Sequence, residues 1–150
     1  MSLPLSSRMD RQRWTVLGIW LLGLMIAYAL VLHTDFSLFH PPDPPETLRD
    51  PITKLYGAVL ALYAPYLTLM LAIGFAKEHA GSKPPSRIVF IVAIAVSLFW
   101  NGVVLWETAE MSYFHRLEVQ ALSEWMSDFS KDWSFIVTPM VALYFTSERP

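Results

Sequence analysis

The side chains that could carry out chemistry are few, and they lie at the ends of apolar stretches. Glu107 and Glu110 are three residues apart, so on a helix they share a face and could share a proton or a cation. His33, Asp35 and His40 could meet at the outer mouth of the first apolar stretch and bind a metal ion. The simpler explanation of both groups is ordinary polar residues at solvated or interfacial helix ends.

Known catalytic patterns are missing from the sequence. Glu110 and His115 are five residues apart, which does not match the Glu-x-x-His spacing of a di-iron site in a helical bundle. There is no G-x-S-x-G, H-E-x-x-H or P-loop sequence, and no histidine lies in the middle of an apolar stretch, where it could bind haem. The chain has no cysteine, which excludes thiolate ligands and a cysteine nucleophile. The sequence therefore predicts a protein that is not an enzyme and that has no cofactor and no metal site.

The elements that must position these residues are long apolar stretches. Hydrophobic residues make up 54% of the 150-residue chain and charged residues only 16%, against about 25% charged in soluble domains. A chain this short can hardly bury such stretches on every side, so lipid must solvate them. At about 1.5 Å per residue, 20 helical residues cross a hydrocarbon core of about 30 Å. We expect a single all-α membrane domain, a bundle of four transmembrane helices at residues 14–33, 55–76, 88–106 and 133–146.

The first and the last stretch each leave an alternative. Residues 14–33 follow a basic N-terminus, as in a signal peptide, but they exceed the usual apolar length of roughly 7–15 residues, and no A-x-A-like site follows. We therefore expect a retained span. Residues 133–146 are few for about 30 Å, and Pro139 interrupts them. If they do not cross, the C-terminus lies outside and the other three spans are unchanged.

Two longer segments connect the spans on the predicted outer side. Residues 34–54 contain the run HPPDPPE, which predicts a stiff, polyproline-like loop, either a rigid connector or a docking strip for an external partner. Residues 107–132 have apolar residues at three- and four-residue spacing, which predicts an extra amphipathic helix between spans 3 and 4. Three placements fit it: flat on the membrane, over the proline-rich loop, or as an extension of spans 3 and 4. Its acidic character favours protein packing over lipid binding.

The distribution of lysine and arginine predicts the orientation. Residues 1–13, 77–87 and 147–150 carry seven Lys and Arg in 28 residues, whereas 34–54 and 107–132 carry four in 47. Because short loops rich in Lys and Arg stay in the cytoplasm, we expect a plasma (bacterial inner) membrane protein with both termini cytoplasmic.

Small and polar residues mark candidate packing faces. Ala93, Ser97 and Asn101 follow one another at intervals of four on span 3, either as a helix–helix seam or as the wall of a water-filled path. Gly57 and Ala61 form a small-x-x-x-small pair on span 2, which favours close packing within the bundle or between subunits.

These features favour a non-enzymatic function. Spans 1 to 3 hold no ionisable residue well inside, which argues against a proton pump or a coupled transporter. A net charge of -2 gives no reason to expect nucleic acid as a partner. The leading hypothesis is an oligomeric or accessory subunit of a membrane complex, in contact with lipid and with further copies or other membrane subunits. The alternative is an ion-conducting pore or membrane effector, for example in bacterial stress or phage defence, with the Ala93–Ser97–Asn101 face on its axis. A membrane enzyme with a metal site on the outer face is the third.

Overall fold

The protein is all-helical throughout its described part, as the sequence predicts. The computed structural model describes the backbone of residues 5–39, 46–76, 86–114 and 118–146, and the side chains of residues 11–37, 50–73, 86–114 and 118–145. Four long α-helices occupy this part of the chain: α1 (Leu5–Phe39), α2 (Glu46–Ala76), α3 (Arg87–Phe114) and α4 (Val119–Thr146).

Three of the helices are long and apolar enough to cross a membrane. The qualifying stretches are Arg11–Ser37 in α1, Asp50–Ile73 in α2 and Arg87–Phe114 in α3. They support the membrane insertion predicted from the sequence. No stretch of α4 qualifies, because charged residues occupy its first half, so a crossing by α4 remains a prediction.

The helices pack around a common axis in the order α1, α2, α4, α3. The closest pairs are α1 with α3 and α2 with α4, and α1–α2 and α3–α4 contacts close the circle. In the first third of α1, Arg13 donates a hydrogen bond of 3.4 Å from Nη2 to the Phe145 carbonyl oxygen at the end of α4. At the other end, Ser112 of α3 donates a hydrogen bond to the Leu30 carbonyl of α1. We call these the Arg13 end and the Ser112 end of the bundle; α1 and α3 run in one direction, and α2 and α4 in the other.

Aromatic rings at the centre fix the relative height of the four helices. Trp20 of α1 lies 5.0 Å from Tyr66 of α2 and 5.7 Å from Trp100 of α3, measured between ring centroids. The ring of Trp100 lies 4.8 Å from that of Phe129 of α4. Such pairs each contribute about 0.5–1.5 kcal/mol beyond the burial of their surface. The middle of every helix is therefore held at the level of this ring cluster.

The loop predicted at 34–54 is much shorter than expected. α1 continues to Phe39 and α2 already begins at Glu46, while the proline run itself lies outside the described residues. Nothing in residues 34–39 stops a helix, since they contain neither glycine nor proline. Pro51 lies in the second turn of α2, where it removes only one backbone donor. The predicted loop was wrong at both ends, because the prolines do not prevent helix formation in the residues on either side of the run.

The extra amphipathic helix predicted at 107–132 is not a separate element. Residues 107–114 complete α3, and residues 119–132 form the first half of α4. Of the three placements considered above, this is the extension of spans 3 and 4. The reason is that the apolar stripe continues: Leu122, Met126 and Phe129 are buried on the same side of α4 as Val137 and Val141.

Candidate functional site

The face Ala93–Ser97–Asn101 lies inside the bundle. All three residues are buried, at 6%, 2% and 5% exposure. The Trp20 indole N–H donates to Ser97 Oγ over 2.9 Å, and Ser97 Oγ donates to the Ala93 carbonyl over 2.7 Å. Two polar side chains in an apolar interior are thereby satisfied by α1 and by the backbone of α3 itself.

Asn101 extends this arrangement to α2. Its Oδ1 accepts a hydrogen bond of 2.9 Å from the Tyr63 hydroxyl, and its Nδ2 donates one of 2.7 Å to the Ser97 carbonyl. Tyr63 is fully buried. The face that could have lined a pore between copies is therefore directed towards α1 and α2 of the same chain.

Gly23 of α1 makes this contact possible, and sequence reasoning missed its role. A Cβ atom at this position would overlap the Asn101 side-chain oxygen and would lie 3.2 Å from the Tyr63 hydroxyl. Gly23 lies opposite Asn101, the one asparagine of the chain, so the two residues occupy the same level of neighbouring helices.

The acidic and histidine residues predicted at the outer ends of the spans lie near the Ser112 end of the bundle. Among them, His33 and Asp35 contact different partners. Asp35 Oδ2 accepts a hydrogen bond of 3.1 Å from the Tyr56 hydroxyl of α2. His33 stacks at 5.3 Å against Tyr113 of α3. Glu107 and Glu110 lie on α3 and are partly exposed.

A metal site at this end has no support from the described residues. His40 lies outside them, and among the residues described no three His, Asp or Glu side chains come together as metal ligands.

Gly57 and Ala61 line an open groove between α2 and α4. The groove has a volume of about 430 Å³, and Gly57 and Ala61 are exposed within it. We call it the α2/α4 groove; its lining residues are Lys54, Gly57, Ala58, Ala61 and Leu62 of α2, with Ser123, Met126, Ser127, Ser130 and Lys131 of α4. It combines small side chains, hydroxyl groups and two lysines on the outer surface of the bundle.

Beside the groove, α4 presents a row of carboxylates. Glu124, Asp128 and Asp132 follow one another at intervals of four, so they lie along one face of the helix, and all three are exposed. We call this row the α4 ridge. Lys131 lies next to it, with its Nζ 3.0 Å from Asp128 Oδ1, and about 70% of each side chain in this pair is exposed.

Part of this charged surface lies at a level along the bundle axis where the other helices are apolar. We call this level the height of a residue. The Phe129 ring contacts Trp100, and the Trp133 ring lies 5.1 Å from Phe99. Both partners are in the middle of the apolar stretch of α3. Lys131 and Asp132 lie between Phe129 and Trp133 in the sequence, so they share that height.

The sequence predicts an outer position for Lys131 and Asp132, because a hydropathy average gives little weight to an apolar stripe on a helix whose other face is charged. The helical periodicity of these residues is visible in the sequence, but only the aromatic contacts between α3 and α4 show their level along the bundle axis. At a similar level the outer surfaces of the other helices are apolar, with Leu22 of α1 exposed to 58% and Leu98 of α3 to 56%.

The described residues thus form a buried hydrogen-bonded group at the centre of the bundle and a charged surface on α4. The buried residues Trp20, Tyr63, Ser97 and Asn101 are joined by hydrogen bonds, and the charged groups of the α4 ridge lie on the outside of the helix. No protein-family model, no curated protein and no solved structure matches this chain.

Proposed function

We propose that this protein is a non-enzymatic membrane subunit that works by lateral assembly with other membrane subunits. The observation that carries the proposal is the exposed charge of Asp128, Lys131 and Asp132 on α4, at the height of the apolar stretches of the other helices. In this proposal α4 crosses the membrane with the other three helices.

Exposure to lipid is costly for these side chains. Insertion experiments give about 2.5–3.5 kcal/mol for an Asp or Lys at the centre of a membrane helix. The Lys131–Asp128 pair recovers part of this cost, but in a low-dielectric medium the desolvation of two charges outweighs their attraction unless further hydrogen bonds satisfy both groups, and Asp132 adds another charge. Such residues in membrane helices normally face protein or water, which supports a partner on this side of α4.

The α2/α4 groove supports the same conclusion. Gly57, Ala61 and Ser127 let another helix approach closely, and seryl hydroxyls can form hydrogen bonds across a helix interface. On the opposite side of the bundle, exposed Leu22 and Met25 of α1 suit lipid. The protein thus has one side adapted to lipid and one adapted to protein.

A second candidate is an ion-conducting oligomer, and the groove is the feature that favours it. Ser123, Ser127 and Ser130, with Lys54 and Lys131, would line the path. In this candidate the groove faces the axis of the oligomer, and the buried Ala93–Ser97–Asn101 face has no part in conduction.

The proposal is tested by crosslinking in the native membrane. A photoreactive side chain at Ser127, in the groove, should give adducts with membrane proteins, whereas the same group at Leu22 should give adducts with lipid alone. Equal protein adducts from both positions, or none from Ser127, would contradict lateral assembly through α4. Ion flux through liposomes containing the purified protein, abolished by Ser127→Leu, would instead establish the pore.

A further inference from the structure

We propose that the partner on this surface is a second copy of the same chain, with the α4 ridge of each copy seated in the α2/α4 groove of the other. The inference rests on the lateral assembly proposed above and names its partner. It follows from charge, height and symmetry.

The charges of the groove and the ridge are complementary. The groove carries Lys54 and Lys131, and no carboxylate lines it among the described residues. The ridge carries the carboxylates of Glu124, Asp128 and Asp132. One surface is cationic and the other anionic, and both belong to the same chain. A second copy therefore offers opposite charge to each surface, in addition to the exposed Lys131–Asp128 pair within each chain.

The heights of the charges also match. α2 and α4 run in the same direction, and Lys54 and Ser123 are the first groove residues of the two helices, so Lys54 lies near the level of Glu124. Lys131 is the neighbour of Asp132 and forms its ion pair with Asp128. Two copies inserted in the same orientation keep equal heights on both sides of their interface. Lys54 of one copy therefore meets Glu124 of the other, and Lys131 meets Asp128 and Asp132.

A closed twofold dimer can form because α4 carries the ridge and also forms one wall of the groove. A twofold axis along the membrane normal places α4 of each copy against α2 and α4 of the other, so each surface is used twice. The small residues Gly57, Ala61 and Ser127 lie where the helices approach most closely. Pro65 has no N–H, so the Ala61 carbonyl beside the groove lacks its usual helical donor and can accept a hydrogen bond from the partner.

The test uses the absence of cysteine from the natural chain. Ser127→Cys places a single thiol in the groove, and Leu22→Cys places one on the opposite, lipid-facing side of α1. In membranes treated with a mild oxidant, Ser127→Cys should give a disulfide-linked dimer and Leu22→Cys should not. Equal crosslinking of the two variants, or none from Ser127→Cys, overturns the proposal.

Charge reversal then tests the pairing. In the Ser127→Cys background, Lys131→Glu removes the groove cation and adds a carboxylate, so dimer formation should fall by roughly a hundredfold or more. Adding Asp128→Lys to Lys131→Glu exchanges the two charges and should restore the dimer. Arg87→Glu, an equal charge change at the start of α3, should have no effect. A dimer that persists with Lys131→Glu, or one that the exchange does not restore, overturns the proposal.

Two further measurements separate the possible failures. Circular dichroism in detergent must give the same helix content and thermal midpoint for Lys131→Glu as for the natural protein, which excludes misfolding as the cause of a lost dimer. Photoadducts from Ser127 to a different protein, with no self-adduct, overturn the second copy and leave lateral assembly standing. No protein adduct of any kind overturns both.

Discussion

Gly23 and Asn101 illustrate how single residues set the distance between α1 and α3. The Asn101 amide is held by Tyr63 on one side and by the Ser97 carbonyl on the other, so it cannot move away without losing a hydrogen bond. Gly23 provides the space that this fixed amide needs. The close approach of the two helices therefore depends on the pair and not on either residue alone.

Replacing Gly23 should consequently destabilise the protein. We expect Gly23→Ala to lower the free energy of unfolding by about 1–3 kcal/mol, as for an overpacked core, measured by denaturant titration in mixed micelles. Gly18→Ala is the matched control, because a Cβ there meets nothing within 4 Å. In an Asn101→Ala background the cost of Gly23→Ala should largely disappear. An equal loss of stability for both glycine variants would contradict the packing described here.

The hydrogen bond between Tyr63 and Asn101 can be measured separately. Tyr63→Phe and Asn101→Ala should each destabilise the protein, and the double variant should be less harmful than the sum. The coupling should be about 0.6 kcal/mol and at most about 1.7 kcal/mol, the range found for such bonds in membranes. A double-mutant cycle in micelles measures it, and strictly additive effects would show that the two side chains do not interact.

At the scale of elements, the start of α3 has a clear local cause. Ser86 precedes the helix, and its Oγ accepts a hydrogen bond of 3.3 Å from the Val89 N–H. Its carbonyl accepts a bond of 3.1 Å from the Phe90 N–H. Ser86 is thus the N-cap of α3, directly after the proline pair that ends the preceding connection.

Removing this cap should weaken α3. Ser86→Ala should cost about 0.5–2 kcal/mol of stability, whereas Ser86→Asp should retain most of it, because a carboxylate also accepts the bond from the first turn. Thermal unfolding followed by circular dichroism compares the two variants. A loss with Ser86→Asp as large as that with Ser86→Ala would mean that the serine acts in some other way.

How much the sequence could predict differs from helix to helix. The first three spans were evident from uniform apolarity, and the structure has helices over all of them. For α4, apolar spacing correctly indicated a helix over 119–132, but we separated it from the span that follows. Height within the bundle depends on contacts such as Phe129 with Trp100, between residues far apart in the chain. Neither periodicity nor composition contains that information, so the position of the charged residues could not be predicted.

At the scale of the whole molecule, both described ends of the chain lie together. Arg13 and Phe145 are neighbours at one end of the bundle, and Arg11 and Arg87 also lie near this end. On the proposed four-span topology we therefore predict that both termini are cytoplasmic.

Reporter fusions test this orientation directly. Green fluorescent protein fused after residue 150 should fluoresce, and alkaline phosphatase at the same position should be inactive. Fusions after residue 116, between α3 and α4, should give the opposite pattern. An active phosphatase at both positions would mean that α4 does not cross the membrane. The exposed charges of α4 would then give no support to lateral assembly.

The circular order of the helices has a consequence for how the chain enters the bilayer during synthesis. A ribosome delivers α1, α2 and α3 first, yet the main neighbour of α2 is α4, which is made last. Until translation ends, one flank of α2 lacks its permanent neighbour. If α4 crosses the membrane as proposed, its charged residues disfavour insertion directly from lipid, and contact with this flank of α2 offers it a protein surface to insert against. Assembly of the fourth helix would then be guided by the second, and a truncated chain ending before residue 119 should be a ready substrate for membrane proteases.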